Sequence, residues 1–324
     1  MSRNFESPGR RPANCCGRFA PSPTGRLHFG SLVAAVGSYL DARASGGNWL
    51  LRIEDIDRQR TAPGAADAIQ RTLAGLAFEW DGEVLYQSRR LDAYRAALSQ
   101  LRENGDIYPC ACSRREIAAR APAAGVDGAP VYPGTCRSGL PHGRDPRSWR
   151  MLAPAEEIVF HDRVQGTQRQ DVAAAVGDFV LLRADGQFAY QLAVVVDDAA
   201  QGVNSVVRGA DLLDSTPRQI WLAQRLRLSV PAYAHLPLAS NAAGEKLSKQ
   251  TRARAIAASS GSPLLAAALE FLGHVVPADL RHAPLSEFWR WAIANWSITF
   301  VPARRSATSG SPPAAVAADA DEHP

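Results

Sequence analysis

The chain has 324 residues, 46% of them hydrophobic, and a formal net charge of +4. That length and apolar content fit one large or two smaller globular domains and exclude a wholly disordered chain. No run approaches the roughly 20 apolar residues needed to span a bilayer, and five cysteines are too few for a disulfide scaffold. The mild basic excess permits a nucleic-acid partner without requiring one. A soluble, cytoplasmic protein is the expectation.

Residues 1–16 have no apolar run, so they read as a disordered leader rather than a signal peptide. Residues 17–20 read as a short buried strand, which Pro21, Pro23 and Gly25 break into a rigid loop. From Ser31, Leu32, Val33, Val36, Tyr39 and Leu40 recur at helical spacing. A strand–loop–helix unit aims backbone N–H groups and a positive dipole end into a crevice, where an anionic ligand such as a phosphate chain fits. His28 adds a donor, and Gly30 lets a bulky ligand approach the backbone. Gly46-Gly47 ends the helix, and residues 48–53 form a second strand running into Glu54-Asp55-Ile56-Asp57. Acidic residues at the carboxyl end of such a strand lie at the ligand crevice, where Glu54 can take a substrate ammonium. Helices over 63–77 and 89–104 complete an alternation that predicts an α/β fold with a parallel sheet.

Residues 108–137 change character. Cys110-Ala111-Cys112 and, across an Ala/Gly/Pro-rich loop, Cys136 can present three thiolates to one zinc ion, with Tyr132, His142 or water as the fourth ligand. Three unlinked thiols are the alternative. Residues 148–183 read as short strands, Asp185-Gly186 as a hairpin turn, and residues 187–198 as a buried Val-rich strand with Tyr190 on a crevice wall. Arg208 ends the next strand and precedes a helix carrying Ile220, Leu222 and Leu226, a placement suited to bidentate capture of a carboxylate. A last strand over 235–238 leads to the basic loop Lys246-Leu247-Ser248-Lys249. Residues 256–301 form a helical annex, and 302–324 read as a disordered tail. The catalytic unit then divides into 17–105 and 196–255 around an insertion at 106–195.

Several of these segments resemble the glutamyl type of class I aminoacyl-tRNA synthetase. His28-Phe29-Gly30-Ser31 is similar to the first signature, "HIGH", with Ser31 in place of the final histidine. Residues 18–25 (Arg-Phe-Ala-Pro-Ser-Pro-Thr-Gly), the Arg52-to-Asp57 run, the segment around Tyr190 and Arg208-Gly209-Ala210-Asp211-Leu212 are spelled as in that type. Lys246-Leu247-Ser248-Lys249 is similar to the second signature, "KMSKS", with Gln250 replacing the last serine. The resemblance covers roughly residues 17–255 and implies a Rossmann-like catalytic domain. There the carboxylate of glutamate would attack the α-phosphorus of Mg²⁺-bound ATP. It makes His28, Gly30, Lys246 and Lys249 catalytic, with His28, Gly30, Ser31 and Lys249 on ATP. Arg18 and Arg208 would hold the substrate's acid end and Glu54 its ammonium, with hydrogen bonds from Ser22 and Tyr190. The spelling Cys-x-Cys, then Tyr-x₃-Cys, is that of the family's glutamyl-queuosine branch. It implies a structural zinc on Cys110, Cys112, Tyr132 and Cys136. With the short stretch after Lys249, it also implies transfer of free glutamate to queuosine in the anticodon loop of tRNA(Asp), by a monomer with no membrane contact. A truncated or divergent glutamyl-tRNA synthetase is the alternative, and a zinc-bearing RNA-binding module without activity is the third reading.

Overall fold

The polypeptide leaves β1 (Cys16–Phe19) through the two prolines and enters α1 (Phe29–Arg43), as its turn residues dictate. The helix starts at Phe29 because His28 is extended and caps it, its Nδ1 accepting the Ser31 N–H at 3.3 Å. The computed structural model describes residues 14–240 and 255–308. In chain order β2 (Asn48–Ile53), α2 (Ala65–Gly75), β3 (Leu85–Tyr86) and α3 (Leu91–Glu103) follow. Next come β4 (Ile107–Cys110), α4 (Arg114–Arg120), β5 (Ser148–Met151), β6 (Ile158–Asp162), β7 (Gly166–Gln170), α5 (Val172–Ala175) and β8 (Phe179–Leu182). The chain returns through α6 (Tyr190–Ala200), β9 (Ser205–Gly209), α7 (Thr216–Arg225), β10 (Ala232–Leu236) and β11 (Leu238–Ser240). Then come α8 (Gly261–Phe271), α9 (Leu285–Asn295) and β12 (Ser306–Thr308).

Strands β1, β2 and β3 pair in parallel. So do β9, β10 and β6, with β7 antiparallel at the edge. The two sets meet where β1 runs beside β9. There Asn204 donates its backbone N–H to the Cys16 carbonyl at 3.1 Å, and its Oδ1 accepts the Cys16 N–H at 2.8 Å. Helix α1 packs across this junction, burying Leu32, Val36 and Leu40 completely. The insertion contributes a separate antiparallel sheet, β4-β5-β8, whereas its β6–β7 hairpin joins the catalytic sheet. Residues of α8 and α9 share the core of α1 and β2. Trp289 meets Tyr39 and Phe78 edge-on at 4.8 Å each and donates its indole N–H to the Leu76 carbonyl. Among the described residues no helix is long and apolar enough to cross a membrane.

Three expectations change. Residues 190–200 form α6 rather than a strand. The helix is buried on several sides, so its Val-Val-Val run carries no amphipathic period to reveal it. Cys15 is buried in the core and Cys16 opens β1, so order begins before residue 17. At the other end, Ser306–Thr308 pairs in parallel with β11, so the chain stays ordered past 302. The Lys246-to-Lys249 signature lies outside the described residues.

Candidate active site

The carboxyl ends of β1, β2 and β9 and the N-terminus of α1 enclose a cavity of about 540 Å³. Its walls hold Arg18, Ser22, His28, Gly30, Ser31, Glu54, Tyr190 and Arg208. The loop that carries Ser22 is anchored through its prolines. The Pro21 carbonyl accepts the Glu54 N–H at 3.0 Å, and the Pro23 carbonyl accepts the Ala62 N–H at 2.9 Å. Because His28 Nδ1 is an acceptor, the neutral ring carries its proton on Nε2.

Charge in the cavity is set by buried pairs. Asp198, on α6, accepts from Arg18 Nε at 3.2 Å and from Arg52 Nη2 at 2.7 Å. Burial pushes its carboxyl up, but the two guanidiniums outweigh that and lower it. Its neighbour Asp197 takes Tyr94, Gln87 and Arg90, tying α6 to α3. Glu54 is treated differently. Among the described residues its buried Oε1 accepts no hydrogen bond and has only Arg52 Nη2, at 3.5 Å. Burial raises its pKa to about 7 despite Arg52 and Arg18. An under-partnered carboxylate in a cavity wall is a binding group for a cation.

Arg208 is fixed on every side. Its Nε donates to His235 Nε2 at 3.0 Å, Nη2 to Thr216 Oγ1 at 2.9 Å and to Gln219 Oε1 at 2.8 Å, and Nη1 to Tyr190 Oη at 3.3 Å. Behind it, His235 Nδ1 lies 2.6 Å from Asp162 Oδ2. Burial holds the His235 ring down to about pKa 4, although Asp162 acts the other way. The ring is therefore neutral near pH 7, donating from Nδ1 to Asp162 and accepting from Arg208 at Nε2.

The insertion holds the other cluster. The Cys112 and Cys136 sulfurs are 3.6 Å apart, and the Tyr132 hydroxyl lies 3.3 Å from Cys110 Sγ and 3.8 Å from Cys112 Sγ. The three sulfurs all fall within 4.8 Å of one another. Sulfurs bound tetrahedrally at about 2.3 Å would stand about 3.8 Å apart, so this spacing fits one zinc ion. His142 is exposed and outside the cluster. Tyr132 is thus the fourth group at hand, held by the Cys136 N–H at 2.9 Å and by the Arg150 guanidinium over its ring at 3.8 Å.

The family model for the catalytic domain of class I tRNA synthetases (E and Q) matches residues 15–262. The chain belongs to that family. Within this synthetase family, a "Glutamyl-Q tRNA(Asp) synthetase" of Dechloromonas aromatica is 60% identical over 286 residues, spanning 88% of this chain and 95% of the relative. One of the same description from Chromobacterium violaceum is 61% identical over 287 residues, 89% and 95% of the two chains. Among solved structures, a glutamate–tRNA synthetase of Elizabethkingia anophelis superposes with a TM-score of 0.75 at 24% identity, over 92% of this chain and 68% of that one. The synthetase cavity thus brings together eight of the ten residues expected for glutamate and ATP; Lys246 and Lys249 lie outside the described residues.

Sequence reading alone missed the groups behind the cavity: Asp162, His235, Thr216, Gln219, Asp197 and Asp198. The three aspartates and His235 act through partners far along the chain, and Thr216 and Gln219 reach Arg208 only across the turn from β9 to α7, so no local pattern marks them. Asp197-Asp198 closing a Val-rich run was the one available signal.

Proposed function

We propose that this protein is an ATP-dependent ligase that activates free glutamate and passes it to queuosine in the anticodon loop of tRNA(Asp). One observation carries the chemical half of this reading: a single cavity sets an under-partnered carboxylate, Glu54, among two held guanidiniums, Arg18 and Arg208. That is the charge pattern of a dicarboxylic amino acid inverted. Glu54 takes the ammonium, Arg18 and Arg208 take carboxylate charge, and Ser22 and Tyr190 add hydrogen bonds. An uncharged amide analogue would leave a buried cation unpaired and be disfavoured. The RNA half rests on the description carried by the two relatives.

A glutamate carboxylate oxygen attacks the α-phosphorus of ATP, the bond to the bridging oxygen breaks, and pyrophosphate leaves with the electron pair. The nucleophile is already ionised near pH 7, so no general base is needed. Catalysis is then positioning and charge stabilisation. His28 Nε2–H, the Gly30 N–H in the first turn of α1 and the Ser31 hydroxyl bind phosphate oxygens. Lys249, with Lys246 secondary, neutralises the departing pyrophosphate, and Mg²⁺ arrives with ATP. A hydroxyl of queuosine then attacks the acyl carbon and AMP leaves. Cys110, Cys112, Tyr132 and Cys136 would hold a structural zinc, which when bound would cross-link the insertion loop. We assign a cytoplasmic monomer.

Glutamate-dependent pyrophosphate exchange tests the first step. Wild-type protein should catalyse it, and Lys249→Ala should slow it about a hundredfold with glutamate binding retained. No exchange with glutamate would reject the reading.

A further inference from the structure

A second cavity, of about 580 Å³, lies between α3 and the β4-β5-β8 sheet, away from the adenylation chemistry. Its floor is apolar, with Leu98, Ile107, Leu182 and Phe188 among its walls. Its rim carries Arg58, Arg95 and Arg102, all exposed. Arg95 and Arg102 stand on one face of α3, two turns and about 10 Å apart along the axis. Among the described residues neither Arg58 nor Arg102 pairs with a carboxylate. Arg102 lies over the Trp149 ring instead, at 5.0 Å. The acids nearby compete little. Asp185, on the rim, is held by Arg183 at 2.7 Å, and Asp92, the partner of Arg95, is almost wholly in water. Gln187, also in the wall, has a buried Oε1 that accepts no hydrogen bond among the described residues. An apolar floor, a cationic rim and one unsatisfied amide oxygen match an unstacked nucleotide: a flat base, two flanking phosphates and a base-edge donor. Ile56 and Phe188 also line the small recess that contains Tyr190 and Glu54, so this cavity neighbours the catalytic one.

We propose that this cavity is a subsite for one unpaired loop nucleotide of the RNA substrate, its base on the apolar floor and its phosphates on Arg58, Arg95 and Arg102. The inference rests on the reading of the protein as an enzyme acting on an RNA loop. Binding the base here would splay the loop and present a neighbouring nucleoside to the adenylate.

The test uses the full chain and tRNA(Asp). In the triple variant Arg58→Ala/Arg95→Ala/Arg102→Ala, tRNA affinity at low salt should fall at least tenfold. The slope of log K against log[salt] should shrink by about 1.4, from about 0.7 for each of the two phosphates on a single strand. Glutamate-dependent pyrophosphate exchange should not change, because none of the three lines the catalytic cavity. Abasic replacement at successive loop positions should find one that weakens wild-type binding. The same replacement should have a smaller effect in Gln187→Ala, since the two changes remove one contact. An unchanged salt slope, or no coupled position, would overturn the subsite. Failure of the wild type to transfer glutamate to tRNA would instead reject the reading it rests on.

Discussion

The catalytic cavity and the thiol cluster are both buried polar sites, but they are completed differently. Around the cavity nearly every charge is answered by the protein itself: Arg18 and Arg52 by Asp198, Arg208 by His235, Thr216 and Gln219, His235 by Asp162. Glu54 is the deliberate exception. In the insertion three thiols and a phenol face one another, and ionisation of one opposes the next. Burial raises the Cys110 thiol, but the Tyr132 hydroxyl, the Cys112 backbone and the Arg150 guanidinium together outweigh it and bring it down to about pKa 7, while burial pushes Cys112 up to about 11. The first site is preorganised as folded. The second would be completed by the zinc ion we propose for it, which would link its stability to metal supply.

Four perturbations sharpen that contrast. The largest should come from Cys110→Ser/Cys136→Ser. Purified wild type should carry one zinc per chain by elemental analysis and the double variant none. Wild-type protein stripped with a chelator should lose protection of the insertion amides to hydrogen exchange. Stoichiometric zinc in the double variant would show that these sulfurs are not the ligands.

Next in size is Asp162→Asn. Asp162 Oδ1 accepts three backbone N–H groups, from Val164 at 3.0 Å, Gln165 at 2.8 Å and His235 at 3.1 Å. The amide oxygen must keep that position, so the amide NH₂ faces His235 Nδ1. The ring then carries its proton on Nε2, pointing at the Arg208 Nε–H, donor against donor. We expect KM for glutamate to rise about tenfold with kcat nearly held, from the cost of one unsatisfied buried group. Nitrogen NMR of the ring should report the switched tautomer. An unchanged KM with the tautomer switched would remove His235 from any role in placing Arg208.

The third concerns Glu54. Its pKa of about 7 means that the anion we propose for the substrate ammonium is lost as pH falls through 7. KM for glutamate should therefore climb severalfold as pH falls from about 7 to about 6, and Glu54→Gln should abolish that dependence. The fourth and smallest effect is on stability. A carboxyl raised from its unfolded value costs nothing at pH 4, where it is protonated in both states. The cost develops as pH rises from the unfolded pKa to about 7 and is complete above it. Glu54→Gln should accordingly raise Tm at pH 8 by the equivalent of about 1–3 kcal/mol and leave it unchanged at pH 4. A lower Tm at pH 8 would mean that Glu54 stabilises the fold.

What was legible in the sequence follows from range. Pro21, Pro23 and the Leu32-to-Leu40 spacing are local signals, and they gave the loop and helix that build the cavity floor. Glu54 and Arg208 could be read because strand ends in an α/β sheet point to the crevice. The α6 helix was not legible, since burial on several sides removes the polar stripe that distinguishes helix from strand. The Asp162–His235–Arg208 chain was not legible either, because its members lie on three strands, its two links span 73 and 27 residues, and only the β6-β10-β9 pairing aligns them. The second cavity depends on α3 facing an insertion sheet, again a tertiary fact.

The central claim is where the glutamate goes. Incubating the full chain with ATP, labelled glutamate and queuosine-containing tRNA(Asp), then locating the label after nuclease digestion, tests it directly. Label should appear on the anticodon-loop fragment, dependent on queuosine and untouched by removal of the 3′ adenosine. Label on the 3′ adenosine, or equal labelling of tRNA lacking queuosine, would contradict it.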